Sequence, residues 1–261
     1  MARAQISATD RIKDHEVSGG VVVTGAARGI GRAIAQRFAT AGASVVAVDL
    51  DQQGVEETVS SLGEGHLAVT GDVLSEELIE SACTRATELG GSLNAFVANA
   101  GVTLPGDSRT YDVEDWDRIL SVDLKGVFLG ARTAATMMAD GGSIVAISSI
   151  AALQGFSGRA AYCAAKSGVD GLVRALAVEW AAEGIRVNAV GPGSTETAMQ
   201  RAMVESGKAS NDLYMSRIPM QRLAQPSEIA DAVAYLASPR ASYITGVVLP
   251  VDGGWAAAGL F

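Results

Sequence analysis

Gly20-Val21-Val22-Val23-Thr24-Gly25-Ala26-Ala27-Arg28-Gly29-Ile30-Gly31 joins an apolar run, a glycine-rich bend and the start of an amphipathic segment. The run has no polar alternation, which predicts a strand buried on both faces. The 3.6-residue apolar period that follows predicts a helix over residues 30–41. Between them, glycines let the backbone turn sharply and approach a ligand closely. A helix beginning at such a bend presents free N–H groups and a positive dipole end, which together attract phosphate. The spacing is G-x-x-x-G-x-G, which departs from the G-x-G-x-x-G fingerprint of many dinucleotide sites.

The same alternation continues along the chain. Short apolar runs predict strands over 43–49, 66–70, 93–98, 142–148, 185–190 and 246–251. Longer periodic segments predict helices over 52–62, 76–89, 113–139, 159–183 and 226–236, the last with Pro226 at its start, where a missing N–H costs nothing. Apolar strands that alternate with helices imply a parallel sheet covered on both faces. Right-handed crossovers make it doubly wound, with ligands at the carboxyl ends of the strands. The predicted class is therefore α/β: a Rossmann-like, doubly wound, parallel seven-stranded sheet in a single domain over 19–261. Residues 1–18 are polar and mixed in charge and are read as an arm, and 193–222 as an irregular lid.

Composition narrows the function. A net charge of −9 argues against a nucleic-acid surface and gives no support to an anionic membrane as partner. Apolar runs of membrane-spanning length and the apolar core of a signal peptide are missing, and the low cysteine content points to the reducing cytoplasm as the expected compartment. With two cysteines, Cys83 and Cys163, and no cysteine–histidine cluster, neither a disulfide framework nor a metal site is expected.

Asp49 closes the second predicted strand, where an acid can accept hydrogen bonds from both adenosine ribose hydroxyls and repel a 2′-phosphate. It points to NAD; Arg28, a cation in the loop, points the other way. Asp72 with Val73 is placed to contact adenine, or to close a turn. Further on, Tyr162 and Lys166 stand four residues apart and share a helix face, with Ser149 thirteen residues before the tyrosine. A nearby ammonium favours phenolate, which brings a tyrosine into range for proton transfer with an alcohol or ketone. The same spacing also describes a surface i,i+4 pair.

Taken in order, TGAARGIG at Thr24–Gly31, GDV at Gly71–Val73, ANAG at Ala98–Gly101, ISS at Ile147–Ser149, YCAAK at Tyr162–Lys166, NAVGPG at Asn188–Gly193 and TG…VDGG at Thr245–Gly254 resemble the short-chain dehydrogenase/reductase family, in its short single-domain branch. The resemblance runs from about Gly20 to Trp255. It implies that Tyr162 is the acid/base, that Lys166 tunes it and binds the nicotinamide ribose, and that Ser149, rather than the adjacent Ser148, orients the substrate oxygen. It places cofactor contacts at Gly25, Arg28, Gly29, Ile30, Gly31, Asp49, Asp72, Val73, Asn99, Ala100, Gly101, Pro192, Gly193, Thr195 and Thr197. At Asp123 many members carry an asparagine that holds a water in a proton relay. A carboxylate there is expected either to act beside Lys166 through its charge or to serve through its backbone carbonyl.

The resemblance implies hydride transfer between NAD(H) and a secondary alcohol or ketone. An NADP-dependent ketoacyl-type reductase and a non-catalytic dinucleotide sensor are the alternatives. Leu153, Phe156, Met199, Met203 and Met215 are expected to form an apolar substrate pocket; residues 150–158 hold no Lys, Arg or His to anchor a carboxylate, and Arg109 and Arg159, which could supply such an anchor, are read as surface charges. A homotetramer is expected, formed through the two long helices and the C-terminal strand, with the apolar tail 255–261 buried at a neighbouring subunit.

Overall fold

The computed structural model describes residues 16–207 and 210–258, so most of the predicted arm, two residues of the lid and the last three of the tail lie outside the described residues. The order is β1 (Gly20–Thr24), α1 (Gly29–Thr40), β2 (Ser44–Asp49), α2 (Gln52–Leu62), β3 (Leu67–Thr70), α3 (Glu76–Gly90) and β4 (Leu93–Ala98). There follow α4 (Val113–Leu120), α5 (Gly126–Met137), β5 (Gly142–Ile147), α6 (Ala160–Trp180), β6 (Ile185–Pro192), α7 (Ala198–Glu205), α8 (Asn211–Arg217), α9 (Pro226–Ala237) and β7 (Val248–Val251). The seven strands pair in parallel in the order β3-β2-β1-β4-β5-β6-β7. The order reverses direction between β1 and β4, and this switch point opens the crevice in which such sheets bind ligands.

Strand periodicity divides the core. Val22 packs with Phe96, Ile144, Val169 and Val173 on one face. Its neighbours Val21 and Val23 pack with Ile34, Phe38, Ile229 and Val233 on the other. Successive strand residues point to opposite faces, so one run of three valines feeds both cores. Burial of this kind stabilises by roughly 25 cal/mol per Å² of apolar surface. Cys83 lies wholly within the first core, where burial, aided by Glu80, pushes its thiol up to about 12; Cys163 is half-buried.

Two predicted elements differ from what is observed. The helix expected over 113–139 is interrupted: Ser121–Lys125 form a π turn between α4 and α5. The extra residue of such a bulge re-aims side chains, and here Asp123 turns into the interior. The segment expected to be irregular over 193–222 holds α7 and α8. The Thr197 hydroxyl accepts from the Gln200 N–H at 3.1 Å, and the Ser210 hydroxyl accepts from the Leu213 N–H at 3.3 Å. Both are side-chain caps of short helices.

Candidate active site

The glycine bend after β1 leads directly into the start of α1. Gly25 adopts φ 66°, in the left-handed region that glycine tolerates best. A Cβ on Gly31 would stand 2.0 Å from the Gly25 carbonyl oxygen, so only glycine lets α1 pack this close to the loop. Arg28, exposed and extended, precedes α1 without capping it through a side chain, and no acid occupies the first turn. The first N–H groups of α1 are therefore open to a ligand. The loop is pinned from three sides. The Ala27 N–H donates to Asp49 Oδ2 at 2.9 Å, Arg32 Nε donates to the Ala27 carbonyl at 3.0 Å, and Asn99 Nδ2 donates to the carbonyls of Thr24 and Gly25 at 2.8 and 3.0 Å. The Thr24 hydroxyl accepts from the N–H groups of Asn99 and Ala100, locking β1 to the end of β4.

Asp49 spends one lone pair on Ala27 and another on the Asp51 N–H at 3.0 Å. A carboxylate accepts about four bonds, so capacity for a diol remains. Asp72 is exposed and accepts from the Leu74 N–H at 2.9 Å, which closes its turn, while Val73 is buried. Open N–H groups, a glycine cradle and an acceptor at the end of β2 together fit a dinucleotide.

On the other side of the switch point, α6 carries Tyr162 and Lys166. Tyr162 is half-buried and lines a cleft with Ser149, Thr103, Phe156, Pro192, Thr195, Thr197 and Met199. Lys166 is 3% exposed and lies behind the phenol, its Nζ 5.6 Å from the Tyr162 ring centre. That ammonium donates to the Ile147 carbonyl at 3.0 Å and stands 3.3 Å from Asp123 Oδ2. Burial acts to lower its pKa. The Asp123 carboxylate, with Tyr162 and Asp170, more than offsets this and holds it above the ordinary lysine value.

Asp123 is fully buried. Its Oδ1 accepts from the Val102 N–H at 2.7 Å, and its Oδ2 meets Lys166 as an ion pair without hydrogen-bond alignment. Burial raises this carboxyl above its ordinary value, while Lys166 and the Val102 N–H pull the other way. A Cβ on Gly101 would come within 2.9 Å of Oδ2, so the ANAG glycine makes room for this carboxylate. Of the two readings of Asp123, the geometry places its side chain, and not only its backbone, at Lys166.

The two serines separate clearly. Ser148 is buried and donates to Asp170 Oδ1 at 2.5 Å, whereas Ser149 is half-buried and its Oγ accepts from the Ala151 N–H at 3.1 Å. The Ser149 hydroxyl proton remains available to a ligand oxygen. Gly193 packs so tightly that a Cβ would meet Asp252 Cα at 2.7 Å, which holds the end of β6 against β7. Thr195 is buried, and its hydroxyl donates to the Gly193 carbonyl at 3.1 Å.

Not every expected pocket residue is in the cleft. Phe156, Met199 and Met203 line it; Leu153 and Met215 do not, and Leu153 is 52% exposed. Leu153 follows a single turn of 3-10 helix (Ile150–Ala152) that points its side chain outward. Arg109 is exposed and paired with Asp107, as a surface charge should be. Arg159 is not a surface charge: it is half-buried and lines the cleft. Thr103, Gln200 and Tyr214 also line it, and sequence reasoning missed them. Nearness in sequence to Tyr162, three residues on, is the signal that could have found Arg159.

Comparisons with known proteins place the chain in a family. Residues 25–256 match the family described as Enoyl-(Acyl carrier protein) reductase. The cis-4-hydroxycyclohexanecarboxylate dehydrogenase of Sinomonas cyclohexanicum is 42% identical over 242 residues, 90% of this chain and 96% of that protein. An uncharacterized short-chain type dehydrogenase/reductase, y4vI of Sinorhizobium fredii, is 42% identical over 93% of this chain, which spans 45% of that protein's length. The crystal structure of a 3-ketoacyl-(acyl-carrier-protein) reductase from Brucella melitensis complexed with NADH matches with a TM-score of 0.84 at 35% identity, covering 92% of this chain and 99% of that one. This chain belongs to the short-chain dehydrogenase/reductase family and is an oxidoreductase.

Proposed function

We propose that this protein is an NAD(H)-dependent dehydrogenase that interconverts a secondary alcohol and its ketone. The observation that carries the reading is the placement of Tyr162 and Ser149 in one cleft with the segment after β6, with Lys166 buried behind the phenol. The dinucleotide, when bound, supplies or accepts the hydride. Ser149 holds the substrate oxygen, and Tyr162 removes its proton during oxidation or returns it during reduction. The Lys166 ammonium favours the ionised phenol, and Asp123 keeps that ammonium charged at depth. Pro192, Gly193, Thr195 and Thr197 line the cleft and would hold the nicotinamide, and α7 and α8 cover it.

Asp49 supports NAD as the dinucleotide. Its carboxylate accepts from the Ala27 N–H of the glycine bend, and a 2′-phosphate placed beside it would meet like charge. Arg28 is exposed and stands apart from this carboxylate's bonds. The kcat/KM for NAD should exceed that for NADP by about tenfold or more. A screen of secondary alcohols and ketones with both dinucleotides, followed by absorbance, measures this and the activity together; faster turnover with NADP would reverse the assignment.

The protein acts as a cytoplasmic homotetramer in this reading, and no described helix is long and apolar enough to cross a membrane. Support comes from the outer faces of α4, α5 and α6. Leu120, Leu124, Phe128 and Leu172 border an open groove there, and Val178 is 83% exposed. Apolar faces of that kind commonly mark contacts between subunits. Light scattering should return four times the chain mass of 26.7 kDa; a monomer would reject the assembly.

A further inference from the structure

We propose that Arg159 anchors an anionic group on the substrate, so that the alcohol oxidised is a hydroxy acid and the ketone reduced a keto acid. This rests on the dehydrogenase reading above and deepens it. Arg32, Arg37, Arg109, Arg132 and Arg222 each pair with a carboxylate: Glu57, Glu16, Asp107, Glu76 and Glu228. Among the described residues Arg159 has no such partner, as is true also of Arg28, Arg85, Arg118, Arg174, Arg186, Arg201, Arg217 and Arg240, but it alone of the described arginines lines the cleft that holds Ser149 and Tyr162, where it is half-buried. Its neighbours are apolar or neutral. The guanidinium lies over the Phe156 ring at 5.7 Å, and Nη2 is 3.7 Å from Met203 Sδ. Nη2 donates to the Tyr214 hydroxyl at 2.9 Å, while Nε and Nη1 have no acceptor among the described residues.

These features suit an anion. A guanidinium stays charged at all working pH values and presents a planar fork that matches a carboxylate. Walls of Phe156, Met203 and the Tyr214–Trp255 stack reduce local screening, so a charge here attracts more strongly than one on the surface. Tyr214 accepts from Arg159, which leaves its own hydroxyl proton for the same ligand. Tyr214 is carried by α8, so the covering segment and the charge belong to one site. Arg159 directly precedes α6 and Tyr162 is its third residue, and both side chains line the cleft. The carboxylate of a suitable substrate is thus several bonds from its carbinol carbon. A substrate with no charge would leave the guanidinium facing an unmatched apolar group.

The test compares hydroxybutanoate, hydroxypentanoate and hydroxyhexanoate, each with its hydroxyl on the penultimate carbon, with the three corresponding carboxamides. The amides keep size and shape and lose only the charge. At the best chain length the wild-type enzyme should favour the acid by about 10–100-fold in kcat/KM, mainly through KM, as expected for a hydrogen bond to a charged group. Arg159→Met should bring that ratio to about one or below, whereas Arg159→Lys, which keeps charge without the fork, should retain part of it. Binding without turnover reads the same contact: hexanoate should compete with the alcohol and hexanamide should not. If the wild type oxidises acids and amides equally, the anchor is wrong and the dehydrogenase reading survives. A preference for acids that persists in Arg159→Met also rejects Arg159. If acids, amides and plain secondary alcohols all fail with both dinucleotides, the underlying reading falls as well. The wild-type comparison needs no variant, so a misfolded Arg159→Met cannot hide the answer.

Discussion

Tyr162→Phe should lower turnover by a factor on the order of 10³ while leaving NADH binding nearly intact, because general acid/base catalysis contributes about 10²–10⁴. The substitution removes one hydroxyl from a half-buried ring at the cleft wall and leaves its packing against Ile119, Ala161 and Ala165 in place. The glycine bend, Asp49 and Asn99 lie across the switch point and keep their hydrogen bonds. The loss should therefore appear in kcat rather than in dinucleotide affinity. Steady-state rates and NADH fluorescence titration separate the two. A variant that keeps a tenth of wild-type activity would remove Tyr162 from the acid/base role.

Asp123→Ala should be the most destabilising single change in the site. It strips the carboxylate from an ammonium that is 3% exposed and leaves the Val102 N–H without its acceptor. Breaking a buried pair from one side costs about 3–5 kcal/mol, since the remaining charge stays buried. For a chain of this size that corresponds to a fall in Tm on the order of 10 °C. Asp123→Asn keeps an acceptor for Val102 and should lose less. The sign of the pH dependence follows from Lys166, whose folded-state value lies above its ordinary one of 10.5. A raised lysine contributes stability that is fully present below the unfolded pKa and is lost as pH rises through the folded one. The stability gap between wild type and Asp123→Ala should therefore be full at neutral pH and narrow above about pH 10.5. Activity should fall too, because the Lys166 ammonium loses the carboxylate that holds it in place behind the phenol. Thermal melts and rate profiles across neutral and alkaline pH check both statements; a melt unchanged from wild type would show that the pair carries no stability.

How far the sequence could be read depended on the range of the interaction that fixes each feature. The bounds of β1, α2 and β4 were legible to the residue, because an apolar run or a 3.6-residue period ends where a turn residue begins. The break between α4 and α5 was not, since Ser121–Lys125 is compatible with ordinary helix and only packing selects the π turn. The helices α7 and α8 lacked a strong apolar period and are short enough to depend on Thr197 and Ser210 as caps. Leu153 and Met215 share the composition of a pocket wall, but the direction of an apolar side chain is set by the local backbone and cannot be inferred from its type.

The sequence alone determined the parallel α/β sheet, the glycine bend at the first strand end, and the spacing of Ser149, Tyr162 and Lys166. All three rest on local patterns: strand and helix periodicity, glycine's backbone freedom, and one turn of helix. Tertiary structure alone decided that Asp123 lies against Lys166, that Ser148 is spent on Asp170, and that Arg159 enters the cleft beside Tyr214. The pairs Asp123–Lys166 and Arg159–Tyr214 join residues more than forty positions apart in the chain. The Ser148–Asp170 bond crosses from the end of β5 to α6. Distance and burial, not residue type, turn such charges and hydroxyls into a site, and both exist only after the chain has folded.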